Sequence, residues 1–100
     1  MKLVWLDTAK ADLNEILVYI ARKSGSAVSA RRFVQSLSDK CRLLADSEFH
    51  LGRKRDELLN GLFSLSVGNY VIFFRRVEGR FEVVRILEGH RDIGALFETD

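Results

Sequence analysis

The hydrophobic pattern changes period once, at Leu62, and that single switch limits the folds open to this chain. Before it, apolar residues recur at helical spacing. Ala9, Leu13, Ile16, Leu17 and Ile20 form one stripe, and Ala30, Phe33, Val34, Leu37, Cys41 and Leu44 form a second. Ser24-Gly25-Ser26 separates the two, so the spacing predicts helices over about 8–23 and 26–46, joined as an antiparallel hairpin. After Leu62 the runs are extended. Residues 62–67, 70–77 and 80–87 are split by Gly68-Asn69 and Glu78-Gly79, which predicts a three-stranded antiparallel meander. Residues 2–6 are short and β-rich and predict one more strand. The expected order is β-α-α-β-β-β with a short C-terminal tail or helix at 92–98. That is an α+β fold, a helical hairpin packed on an antiparallel β-sheet.

Finer expectations follow from side-chain chemistry. Asp7 or Thr8 is placed to cap the first helix. Asp12, Glu15 and Lys23 fall off its apolar stripe. Residues 47–60 show no period and read as an exposed loop around Gly52 and Arg53-Lys54-Arg55-Asp56-Glu57. A length of 100 residues is one domain, residues 1–100, and 47% hydrophobic residues with a net charge of +2 argue against disorder. The longest apolar run, 16–21, is far short of the roughly 20 residues a membrane span needs. Asp7 interrupts the N-terminal apolar stretch before a signal-peptide core could form, and the single cysteine, Cys41, fits a reducing compartment. The expected location is therefore cytoplasmic, with no membrane partner. Residues 92–100 hold three acids and no base, so the mild basic surplus lies upstream. It suits an acidic partner and does not announce sequence-specific nucleic-acid binding.

The sheet carries a conflict. Residues 70–74 are apolar at every position, and so are Val83-Val84 and Ile86-Leu87, where a sheet with one wet face would alternate. A helical hairpin covers one face. The other either receives a partner or is covered by the 47–60 loop and the tail. The residues at stake are Tyr70, Ile72, Phe73 and Phe74.

No metal or nucleophile motif is present. His50 and His90 are far apart, and Cys41 sits on an apolar helix stripe, where it reads as a small hydrophobe. No cofactor, metal or catalytic residue is expected. What remains is a cationic cluster on the meander: Arg75, Arg76, Arg80, Arg85, His90 and Arg91. Arg85 interrupts an apolar strand, so it needs an edge, an anionic ligand or an internal carboxylate such as Glu82 or Glu88. His90, an acid–base candidate by residue type, sits in a turn with Arg91, while Asp92 is placed to cap the tail.

Taken in order, these residues closely resemble the ParE branch of the ParE/RelE toxin superfamily. The carriers are Gly61-Leu62-Phe63-Ser64, then Val67-Gly68-Asn69-Tyr70-Val71-Ile72-Phe73-Phe74-Arg75, then Arg85-Ile86-Leu87-Glu88-Gly89-His90-Arg91-Asp92. Leu3-Val4-Trp5, the Ala9 to Ile16 pattern, Tyr19-Ile20, Leu51-Gly52-Arg53 and Glu57-Leu58 also match. The resemblance spans nearly the whole chain. It implies a β-α-α-β-β-β toxin of a type II toxin–antitoxin pair, of the plasmid-stabilisation kind. It also implies a small ParD-like antitoxin whose C-terminal segment wraps the toxin, and DNA gyrase as target.

The superfamily also holds RelE-type toxins, which cleave mRNA in the ribosome without a metal. The arginine they carry just after the third-strand tyrosine falls on Val71, and their C-terminal tyrosine falls on Phe97. Arg91 alone keeps a match. These departures favour gyrase and a non-enzymatic toxin. Within the ParE pattern, Phe63 stands for an arginine, Phe74 for a tyrosine and Glu88 for a histidine. On this reading Arg75, Arg85, His90 and Arg91 are expected to contact the target, and the antitoxin is expected to cover Tyr70, Ile72, Phe73, Phe74 and Arg85 together with the helical hairpin. Two alternatives remain: an mRNA endonuclease using Arg75, Arg85 and Arg91, and a degenerate toxin that only sequesters antitoxin.

Overall fold

The structure, a computed structural model, describes residues 1–98; Thr99 and Asp100, the end of the acidic tail, lie outside the described residues. Strand β1 (Lys2–Trp5) leads into helix α1 (Asp7–Ser24) and helix α2 (Ala27–Asp46). A two-stranded pairing of β2 (Arg53–Lys54) and β3 (Phe63–Val67) is followed by β4 (Tyr70–Val77), β5 (Arg80–Glu88) and the short helix α3 (Ile93–Glu98). The predicted order is observed. Two details differ. The 47–60 loop contributes β2 as an edge strand, and the sheet is mixed, because β1 runs parallel to β5.

The hairpin forms where its punctuation lies. Gly25, at φ 71°, adopts the left-handed conformation, and its N–H closes α1 on the Ala21 carbonyl at 3.0 Å. Ser26 then caps α2, its hydroxyl accepting from the Ser29 N–H at 3.1 Å. The start of α1 departs from expectation. Leu6 is the cap residue and offers no side-chain bond, and the Thr8 hydroxyl is drawn away to the Val84 carbonyl at 2.6 Å.

The strands lie in the order β1-β5-β4-β3-β2. On the helical face, Ile72, Phe74, Phe81, Val83 and Ile86 pack against Ala9, Ile16, Leu37, Cys41 and Leu44. On the opposite face, Leu62, Phe73, Val84 and Leu87 are buried beneath Leu58, Ile93, Leu96 and Phe97. The expectation of an open second apolar face is therefore corrected. The 55–62 loop and α3 cover it, and Ile72, Phe73 and Phe74 are fully buried, so in this chain they serve the core. Phe97 seats its ring edge-on to Phe73 at 5.0 Å.

Strand β5 outlasts β1. Their pairing ends at Trp5 with Val83, and a bulge follows, with Val84 inserted between the pairings Phe74–Val83 and Phe73–Arg85. From there α1 takes over the bare edge with side chains. The Thr8 hydroxyl donates to the Val84 carbonyl, and Asp12 Oδ2 accepts from the Ile86 N–H at 3.0 Å.

Candidate functional site

The bulge aims Arg85 at α1. Its Nε and Nη2 donate to Asp12 Oδ2 and Oδ1 at 2.7 and 2.8 Å, a bidentate pair, and Asp12 is 5% exposed. The Asp12 hydrogen bonds raise the Arg85 guanidinium above its ordinary value, against the opposing effect of burial. Arg85 does have an internal carboxylate partner, but it is Asp12 rather than Glu82 or Glu88. Asp12 is also corrected from an off-stripe surface position to a buried one. Because its oxygens already hold Arg85 and Ile86, this pair ties α1 to the sheet.

The cationic cluster divides. Arg75 pairs with Glu82 near one end of the β4–β5 ladder, and Tyr70 pairs with Glu88 at the other, five residues or ~17 Å away. Arg75 is therefore remote from His90 and Arg91. Its Nη2 donates to Glu82 Oε1 at 2.9 Å, while Arg80 reaches Glu82 Oε2 at 3.4 Å. Arg76 projects to the helical face, stacked over Phe63, Phe74 and Phe81, and its Nη2 donates to the Leu51 carbonyl at 3.0 Å. Desolvation lowers its guanidinium from the ordinary value.

At the far end of the ladder, His90 is exposed, and its Nδ1 hydrogen-bonds Glu88 Oε1. That bond holds the Glu88 carboxyl below the usual carboxylate range. Asp92 accepts from the Ala95 N–H at 3.3 Å, capping α3 as expected. Arg91 is exposed beside an open groove of about 790 Å³. Its walls are α1 (Glu15, Tyr19, Lys23), the Gly68-Asn69 turn with Tyr70, and the end of β5 with Glu88. Ile16, Ile20, Phe33 and Ile86 form its apolar floor. Tyr70 leans on Phe33 with ring centroids 5.4 Å apart, and desolvation pushes its hydroxyl up. Lys23 donates to the Tyr19 hydroxyl at 3.2 Å.

The groove thus has an apolar base and paired rims, Lys23 and Arg91 against Glu15 and Glu88. It brings Tyr70 and Arg91 of the expected site together and leaves Arg75 out. The helical hairpin was expected on this surface, but none of its residues was singled out from the sequence. The signal on α1 is the unbroken apolar run 16–21, too wide for one buried stripe; Val18 and Tyr19 are 40% and 54% exposed.

A family model described as the ParE toxin of the type II toxin–antitoxin system, parDE, matches residues 3–93. The chain belongs to the ParE toxin family. Among solved structures it is similar to a chain of the chromosomal ParDE TA system from P. aeruginosa. The TM-score is 0.75 at 23% identity, covering 88% of this chain and 95% of that one, which supports the shared fold. Among curated proteins nothing matches. The ParE fold here carries the departures seen in the sequence. Val71 is half-buried against the second core, and Phe97 spends its ring on Phe73. Among the described residues, no three His, Cys, Asp or Glu side chains are placed to hold a metal ion, and no helix is long and apolar enough to cross a membrane.

Proposed function

We propose that this ParE-family toxin acts on DNA gyrase and is neutralised by a cognate ParD-like antitoxin seated in the α1 groove. Family membership over residues 3–93 carries the reading. The groove supports the antitoxin part. An amphipathic segment would lay apolar residues on Ile20 and Phe33 and set its charges against Lys23, Arg91, Glu15 and Glu88. A partner that folds on binding suits such a shallow, mixed surface. The exposed pair of His90, which keeps its bond to Glu88, and Arg91 is the part of the expected target set open to gyrase, since Arg75 and Arg85 are held in less exposed ion pairs within the chain.

The ribosomal mRNA endonuclease reading is weaker on side-chain grounds. Val71 has no charge to offer a phosphate, and Phe97 has no hydroxyl to move a proton.

Expression in cells without the antitoxin tests the proposal. DNA synthesis should stop while transcripts stay full length, and co-expression of the antitoxin should restore growth. Early transcript cleavage would favour the endonuclease, and normal growth would point to a degenerate toxin.

A further inference from the structure

The sheet face opposite the helices is only half covered. Helix α3 and the 55–62 loop close over Phe73 and Leu87, while the rest presents cations from four of the five strands. Strand alternation puts Lys2 of β1, Arg80 of β5 and Arg75 of β4 on this face, because Leu3, Phe81 and Phe74 point to the helical core. Arg53 of β2 pairs with Ser64 on the same side. One carboxylate accompanies these four cations. Glu82, 8% exposed, holds Arg75 and Arg80 side by side. The surplus of three exceeds the net charge of +2 of the entire chain.

We propose that this stripe binds the phosphodiester backbone of a nucleic acid without reading sequence. Its spacing decides against a single phosphate. Four strand intervals of about 4.8 Å, with the four-residue offset from Val77 to Phe73 along β4, put Lys2 and Arg53 ~23 Å apart. That matches the rise of about seven phosphates along one DNA strand at ~3.4 Å each. The stripe runs across the strands rather than along a free edge and offers planar arginine donors. That favours a phosphate polymer over an acidic peptide, which would pair with an edge or fill apolar pockets. The proposal is independent of the gyrase reading.

Fluorescence anisotropy with the full chain tests it, using a random-sequence DNA duplex, a single-stranded RNA and a polyglutamate peptide as probes. With about three phosphates neutralised, log K for the duplex should fall against log salt with a slope near −3, or roughly 60-fold between 50 and 200 mM. Lys2→Gln with Arg53→Gln removes two exposed charges from the outer strands and should flatten the slope by about 2, with a loss of ~10-fold or more at 50 mM salt. Arg80→Gln, which leaves Arg75 on Glu82, should flatten it by about 1. Arg31→Gln with Arg32→Gln, the same charge loss on α2, should leave the slope unchanged. Stronger binding of duplex or of RNA identifies the source of the backbone. The proposal is overturned by no binding to either at 50 mM salt, by an equal loss in the α2 variant, or by polyglutamate binding with the same dependence on Lys2 and Arg53.

Discussion

Asp12 stands among Ala9, Leu13 and Ile16 on α1, yet it is the acid that the bare edge of β5 requires. Replacing it leaves the Arg85 guanidinium and the Ile86 N–H without their acceptor. Asp12→Ala should therefore cost about 3–5 kcal/mol in urea unfolding, whereas the exposed neighbour change Glu15→Ala should stay within about 0.5 kcal/mol. Arg85 was legible as a charge in need of a carboxylate. Asp12 was not legible as that carboxylate, because helical periodicity sorts residues by stripe and cannot see a bulge 73 residues away. Cys41 was read correctly from its stripe. It is fully buried, and burial pushes its thiol up to about 12. The folded protein should thus resist alkylation at pH 8.5 and react once unfolded, read by mass spectrometry. A raised folded value means that this contribution to stability is complete below the ordinary thiol range. It is lost as pH climbs from there toward 12.

The elements were legible wherever a period and its punctuation agree. Both helices, the meander and the tail helix fall where the patterns put them. The β4–β5 turn shows how local the control is. Glu78 and Gly79 have φ of 48° and 79°, left-handed at both central positions, as a two-residue hairpin of this twist demands. A glutamate is strained there, and Glu78→Asn should stabilise the fold by about 0.5–1 kcal/mol in thermal unfolding. Gly52 is constrained differently. At φ 114°, a Cβ would stand 2.7 Å from Phe74 Cζ, so this position admits glycine where the loop crosses the core. The two elements misjudged at first sight were β2 and the cover of the second face. Two residues carry too little pattern to announce a strand. Whether a covering segment comes from the same chain or from a partner depends on where α3 docks, which no periodicity encodes. Removing residues 93–100 should bare Phe73, Val84 and Leu87, and the truncated chain should bind an apolar dye that the full chain does not.

The whole molecule separates three tasks by surface. The hairpin and sheet bury the core, the α1 groove receives the antitoxin in the proposed function, and the far half of the sheet carries the cations. The groove was only partly legible. Its β4–β5 side and Tyr19 lay in the motif, but only α1–sheet packing brings them together with Lys23 in one groove. Tyr19→Ala, at an exposed position, should leave unfolding unchanged within about 0.5 kcal/mol and weaken a ParD-like antitoxin by roughly tenfold or more in calorimetry, as an aromatic anchor does. The most direct measurement is gyrase supercoiling with the purified chain, scored for both lost supercoils and accumulated cleaved DNA. The account predicts inhibition with cleaved DNA, reversed by the antitoxin. Full supercoiling with the toxin in large excess over gyrase would contradict it.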